Sequence, residues 1–473
     1  MTSENLNNES DVLISHSKLN MASYSMSDFI MQIFAFTFST YVFFFYEAVL
    51  GLESFLAGLG FVIYAIWNAV NDPLVGFICD RPFFFTKKWG RRFPWIISSM
   101  FPSVFVYVLL FSPPLFNPVT DQLAMFAWLI FATCLFDTAA SFWGVNSSAL
   151  FPDKFRGIDE RRSASGIRNL FGYLGIAIGA LLPPFIVDYA VKQSFIDQAW
   201  ALILIALIAG IFAIPGLRED QDNIDRYLRS YEDDSIEREK IHFFKTFIST
   251  FKQKNFVAFV ILFLSYSTLR ACLLGSLQYG LLYILILDSS YSILLSGSYL
   301  IASLVSIPLW VKLIKKKNDN RKIMIYGAIM ATVFTLPMVF LTDLISWIIV
   351  LMLWGVGISG MFIAIYPVFA DIIDENVVKT KVRKEGLYNG FYAFITRFSI
   401  VVQALIFSTV HILTGFEEGA LTQDPLAVVG IQIAMALIPS IIMVIGTVLF
   451  WKYYDITPEK STIIQAQLND LKL

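Results

Sequence analysis

An all-α membrane protein of about twelve spans, arranged as two six-helix bundles, is what the sequence predicts, and three observations carry that expectation. Of the 473 residues, 57% are hydrophobic and only 15% are charged, against about a quarter charged in a soluble domain; the mean hydropathy is +0.66. Apolar runs of the ~20 residues needed to cross a ~30 Å hydrocarbon core recur from one end to the other. Basic residues collect in alternate connections, the pattern of loops on the cytoplasmic side of a membrane.

Taken in order, the apolar runs fall at about 28–50, 55–79, 94–112, 122–150, 165–187 and 198–215, and then at about 256–285, 290–314, 322–341, 345–371, 386–412 and 426–451. The loop after the second run holds Arg81, Lys87, Lys88, Arg91 and Arg92, and that after the fourth holds Lys154, Arg156, Arg161 and Arg162. Lys312 to Lys322 and Lys379 to Lys384 repeat the pattern after the eighth and tenth, while the opposite connections hold almost no basic residue except Lys192. Both termini therefore belong in the cytoplasm, with 1–26 a polar, disordered tail that lacks the order of a signal peptide and 454–473 a second tail. Bundles at 27–216 and 256–453 are joined by 217–255. Arg218 to Lys240 reads as a solvated linker, whereas Ile241, Phe243, Phe244, Phe247, Ile248 and Phe251 recur at helical spacing, as in a helix lying on a membrane surface. Asp72-Pro73 near the end of span two has a counterpart in Ile307-Pro308 of span eight. Six plus six spans with weak internal similarity is the arithmetic of the major facilitator architecture.

Several function classes are excluded at this level. The net charge of −2 is segregated by loop and gives no case for nucleic-acid binding. Cys79, Cys134 and Cys272 lie in or beside apolar stretches, so no disulfide framework or metal site is indicated. His16, His242 and His411 fall in the tail, a loop and a span end, so no histidine metal site or proton shuttle is expected within the spans. No Gly-rich nucleotide motif is present, which argues against an ATP-driven pump, and no enzyme is expected.

What remains is a set of polar groups at membrane depth, where a lone charge costs about 2.5–3.5 kcal/mol at a helix centre. Asn68, Asn71 and Asp72 of span two share one helical face, and so do Asp137 and Ser141 of span four. Oxygen ligands from two adjacent helices suit a hard monovalent cation, Na+ being possible at Asp72, Asn68, Asn71 and Ser141, and a carboxylate alone could carry a proton. Alternatively, Asp72 or Asp137 pairs with Arg168 or Arg397 to hold the bundle together. Arg168, Arg270 and Arg397 outnumber those two acids, and a guanidinium fork favours an anionic or many-hydroxyl ligand; Arg270 could instead neutralise Asp137. Gln278 lies two turns beyond Arg270 on a similar face, and Phe362 is one of several aromatic residues that could line a cavity. Asp80, Arg91 and Arg92, with Asp371 and the loop Lys312 to Lys322, are the expected cytoplasmic gate.

Phe45-Tyr46-Glu47-Ala48-Val49-Leu50-Gly51, Trp67-Asn68-Ala69-Val70-Asn71-Asp72-Pro73, Gly90-Arg91-Arg92-Phe93-Pro94-Trp95 and Ala370-Asp371-Ile372-Ile373-Asp374 together resemble the glycoside-pentoside-hexuronide:cation symporters, a melibiose-permease-like branch of the major facilitator superfamily. The resemblance covers almost the whole chain and implies symport of a sugar with sodium, lithium or protons by alternating access. It matches Asn71, Asp72 and Ser141 to the family's cation site, Arg168 and Arg397 to its basic residues, and puts Asn68 where the family has a first acid. The sugar-binding acids fall at Met31 or Gln32 and at Gly144, and the stacking tryptophans at Ser148 and Phe362, a departure from galactoside recognition. The same branch contains animal sodium-dependent lysophospholipid symporters. The expectation is thus a plasma-membrane transporter, a monomer with a small-molecule substrate and the lipid bilayer as partners, coupling Na+ or H+ to a sugar, glycoside or sugar acid. The alternatives are an amphiphilic organic anion such as a lysophospholipid, or a sensor that binds without transporting.

Overall fold

The computed structural model describes residues 15–232, 253–380 and 385–471. Among these residues everything regular is helical apart from an isolated bridge between Asp188 and Val191. The first half contains α1 (Lys18–Thr37), α2 (Ser54–Cys79), α3 (Phe93–Leu109), α4 (Gln122–Lys154), α5 (Ile158–Leu181), α6 (Lys192–Leu217) and the short polar α7 (Gln221–Glu232). The second contains α8 (Lys254–Tyr279), α9 (Ser292–Lys317), α10 (Asn320–Thr335), α11 (Leu344–Thr380), α12 (Glu385–Thr414), α13 (Pro425–Gln432), α14 (Ile438–Tyr453) and α15 (Pro458–Leu471).

Among the described residues ten helices are long and apolar enough to cross a membrane, and α3 is a shorter apolar helix of 17 residues. The remaining expected span starts earlier than its hydropathy indicates. Ser17 caps α1 by accepting from the Asn20 amide, satisfying one of the orphan donors of a first turn, so the helix begins at Lys18 within the stretch expected to be a disordered tail. It then runs on through π turns at Phe38–Val42 and Phe45–Val49. The chain end expected as a second tail is likewise partly helix α15, whose Ser461 donates to Asp371 and whose Gln465 donates to Asp374. The expected interfacial helix around Ile241 to Phe251 lies outside the described residues.

Within the first half, α1 packs on α5 and α6, α3 on α4 and α6, and α2 on α4; in the second, α9 and α10 pack on α11, and α8 on α12 and α14. Lipid offers apolar side chains no water to escape, so close backbone approach does much of this work. A Cβ on Gly175 of α5 would lie 2.3 Å from the Phe29 carbonyl oxygen of α1, and one on Gly216 of α6 would lie 2.0 Å from the Tyr24 nitrogen. The halves meet where α2 packs on α12, α5 on α9, and the π end of α1 on α8.

The two ends of the molecule are held differently. At the face that carries the basic loops, Arg92 pairs with Asp80 at 2.6 Å and Arg91 with Asp153 at 3.2 Å inside the first half. Lys460 pairs with Glu375 and Asp455 at 2.8 and 2.5 Å inside the second. At the opposite face the bonds cross between halves: Ser54 donates to Glu418 at 2.7 Å, Tyr189 to Gln278 at 2.5 Å, and Ser289 to the Val187 carbonyl. Among the described residues no ion pair bridges the halves at the basic face.

Candidate functional site

Helices α2 and α4 build one wall of the space between the halves. Trp67 Nε1 donates to Thr138 Oγ1 at 3.0 Å, tying the two helices at this level. Beside that tie, Asn68 Nδ2 and Asn71 Nδ2 donate to the two oxygens of Asp137, the second at 3.1 Å. All three are buried. Asp137, a carboxylate at membrane depth, is thus satisfied by neutral amides rather than by an arginine. The same turning of the Asn68 amide leaves its oxygen buried without a partner, and Asp72 Oδ1, four residues on, is also buried and unpartnered. Ser141 lies buried one turn along α4 from Asp137. Pro73 removes the backbone donor that would otherwise close on the Ala69 carbonyl.

Two carboxylates, two amides and a hydroxyl, with two oxygens orphaned, fit a hard cation. No cluster of three or more His, Cys, Asp or Glu that could hold a metal occurs among the described residues.

The facing wall is cationic. Arg397 of α12 donates to Asp72 across the boundary between the halves. Arg168 of α5 pairs with Asp28 of α1 at 2.7 Å. Asp28 lies one turn before Met31 and Gln32, the positions that the family resemblance left without an acid, so α1 carries an acid after all. With Asp28 the acids near the membrane centre number three, equal to the arginines. Arg397 and Arg168 are each answered by an acid.

Arg270 is not. It forms no ion pair or hydrogen bond among the described residues, and it is the one exposed residue between Asn255 and Leu285, on a helix otherwise enclosed by protein. Tyr266 of α8 and Tyr299 of α9 lie within its electrostatic reach. Tyr366 of α11 lies within reach of both Tyr266 and Arg168. The Phe362 ring meets Tyr173 of α5 at 5.9 Å and Tyr366 at 6.2 Å. Arg168 of the first half and Arg270 of the second are thus linked through a group of rings drawn from both halves.

Four expectations are corrected by the geometry. Arg270 does not neutralise Asp137. Gln278 is fully buried, accepting from Tyr189 and donating to Ser292 at 3.3 Å, so it belongs to the closed face and not to the space beside Arg270. Asp80, Arg91 and Arg92 pair with one another or with Asp153 inside the first half, and Asp371 accepts from Asn320 and Ser461 inside the second. In this arrangement they brace separate halves and form no latch between them; Lys322 answers only Asp319 of its own loop. His411 does join a buried cluster, with Glu47 and Tyr279, although its position at a span end gave no reason to expect one.

Residues 23–457 match the model of a family described as MFS/sugar transport protein. The sodium-dependent lysophosphatidylcholine symporter 1 of Mus musculus is 25% identical over 427 residues, covering 83% of this chain and 77% of that one. The uncharacterized symporter YnaJ of Bacillus subtilis is 23% identical, covering 91% and 90%. Among solved structures, the nucleoside transporter NupG superposes with a TM-score of 0.60 at 12% identity, over 93% of this chain and 99% of that one, a likeness of fold.

Proposed function

Because the chain belongs to the MFS/sugar transport protein family, we propose that it is a secondary transporter that couples a monovalent cation to an amphiphilic organic anion, of which a lysophospholipid is the leading example. The basic face is cytoplasmic in this reading, so the halves part toward the cytoplasm, and the substrate binds between them near the midplane. One observation carries the proposal: an acid without an arginine, Asp137, on the first wall, and an arginine without an acid, Arg270, on the other.

The coupling follows from charge. A cation held by Asn68, Asp72 and their neighbours adds positive charge beside Arg397 and Arg270. An anion entering the same low-dielectric space answers it, so each ligand strengthens the other. Arg270 and Arg168 orient the anionic group, while Tyr173, Phe362 and Tyr366 flank an apolar portion. The relatives named as sodium-dependent lysophosphatidylcholine symporters support sodium as the ion and an amphiphile over a sugar. The lack of acids at Gly144 and at Met31 or Gln32, and of tryptophans at Ser148 and Phe362, weighs the same way.

Uptake into proteoliposomes tests the reading. Lysolipids, sugars and sugar acids are offered in turn under imposed sodium or pH gradients. The expected outcome is concentrative, gradient-driven uptake of an anionic lysolipid. Uptake of sugars alone, or binding with no counterflow, would overturn it.

A further inference from the structure

We propose that Glu47, Tyr279 and His411 form a proton-binding site at the closed face, separate from the central cation site, whose occupancy favours closure of that face. Tyr279 donates to Glu47 Oε2 at 2.5 Å, and His411 Nδ1 lies 3.0 Å from both carboxylate oxygens. Exposure is 0% for Glu47, 1% for Tyr279 and 2% for His411. Each comes from a different element: Glu47 from the π end of the first helix, in the first half, and Tyr279 and His411 from α8 and α12 in the second. Separation of the halves at this face must therefore break the cluster.

Aromatic rings pack against the cluster. Phe416 stacks on the His411 ring at 4.5 Å and Phe407 at 5.8 Å, and Phe44 meets Tyr279 edge-on at 4.9 Å. The other titratable groups that face it are Tyr283, in the π turn that follows α8, whose hydroxyl donates to the Ala420 carbonyl, and Glu418 of the α12–α13 connection, which accepts from the Ser54 amide and hydroxyl. No lysine or arginine pairs with Glu47 among the described residues. A buried carboxylate with no permanent cation beside it, and a second carboxylate nearby, leaves a proton as the charge that answers it. With His411 as imidazolium, the pair is neutral and both hydrogen bonds are charge-assisted. When the face opens, Glu47 parts from Tyr279 and His411, which belong to the other half, and the proton held between them loses the carboxylate that answered it. Closure of this face therefore takes up a proton, and opening releases it.

The test is a distance measurement on the full-length protein in nanodiscs, with spin labels at Val119→Cys and Leu421→Cys, exposed sites on opposite halves at this face. In the otherwise native sequence the separated population should rise between pH 5 and pH 8, by up to about tenfold per pH unit for one linked proton. His411→Gln should flatten that dependence, Tyr279→Phe should shift its midpoint, and Asp72→Asn in the central site should leave it in place. A flat profile in the native sequence overturns the proposal with no need of a variant. So does a profile that survives His411→Gln unchanged, or one that vanishes in Asp72→Asn alone.

Discussion

The two walls of the central space solve the same electrostatic problem in opposite ways. On the α2–α4 wall polar groups answer one another: Asn68 and Asn71 hold Asp137, and Trp67 holds Thr138. On the facing wall Arg397 is paired across to Asp72, while Arg270, with Tyr266 and Tyr299 within its electrostatic reach, is bare. The contrast teaches that the carboxylate answered by amides, Asp137, and the unanswered arginine, Arg270, belong to different halves. In the proposed mechanism a ligand of either sign prefers the state in which both walls are near. Asp72–Arg397 is the contact that joins the two sets, and it is the first place to break the comparison.

Asp72→Asn should have the largest effect. It removes a proposed cation ligand and leaves the half-buried Arg397 without its acid. Ion-driven accumulation in proteoliposomes should fall to the equilibrium level while substrate exchange survives better; unchanged accumulation would refute the coupling role. Arg270→Gln should come next. Losing a charge-assisted hydrogen bond worth about 1.5–3 kcal/mol should weaken an anionic lysolipid by roughly ten- to a hundredfold in a binding isotherm, and a neutral amphiphile hardly at all. Equal losses for both ligands would remove Arg270 from headgroup recognition.

Asn68→Asp sharpens the contrast from the other side. A third carboxylate, beside Asp72 and Asp137, should tighten cation binding roughly tenfold, about 1.4 kcal/mol, read as a lower half-saturating sodium concentration for uptake; a rise in that concentration would count against the site. The smallest effect is expected for Lys322→Gln, because that lysine answers Asp319 of its own loop and bridges nothing. The lysine is exposed although Asp319 is buried, and solvent screens such a pair, so transport rates should change by less than threefold. A larger change would mean that the basic loop engages the other half in another state.

Much of this was legible in the sequence. Hydropathy length located the helices, and i, i+3 and i+4 spacing put Asn68, Asn71 and Asp72 on one face. Local periodicity cannot say which residues meet across helices. Asp28 was missed because it sits where the polar start of α1 passes into the apolar run, and its partner Arg168 is remote in sequence. Glu47 stood inside a quoted motif, yet its partners Tyr279 and His411 come from two helices of the other half. Gln278 was misplaced for a related reason: helical spacing put it on the face of Arg270, but α8 continues past the central space into the closed seam. Asp80, Arg91 and Arg92 were read as a latch because charge density marks a loop and leaves its partner unnamed.

The most direct test is thermodynamic linkage between the two ligands on the purified protein. Affinity for an anionic lysolipid is measured by calorimetry with and without sodium, and sodium affinity with and without the lysolipid. The account predicts reciprocal tightening of about 5- to 150-fold, equal in both directions, and its loss in both Asp72→Asn and Arg270→Gln. Affinities that are independent of one another in the native protein would contradict it.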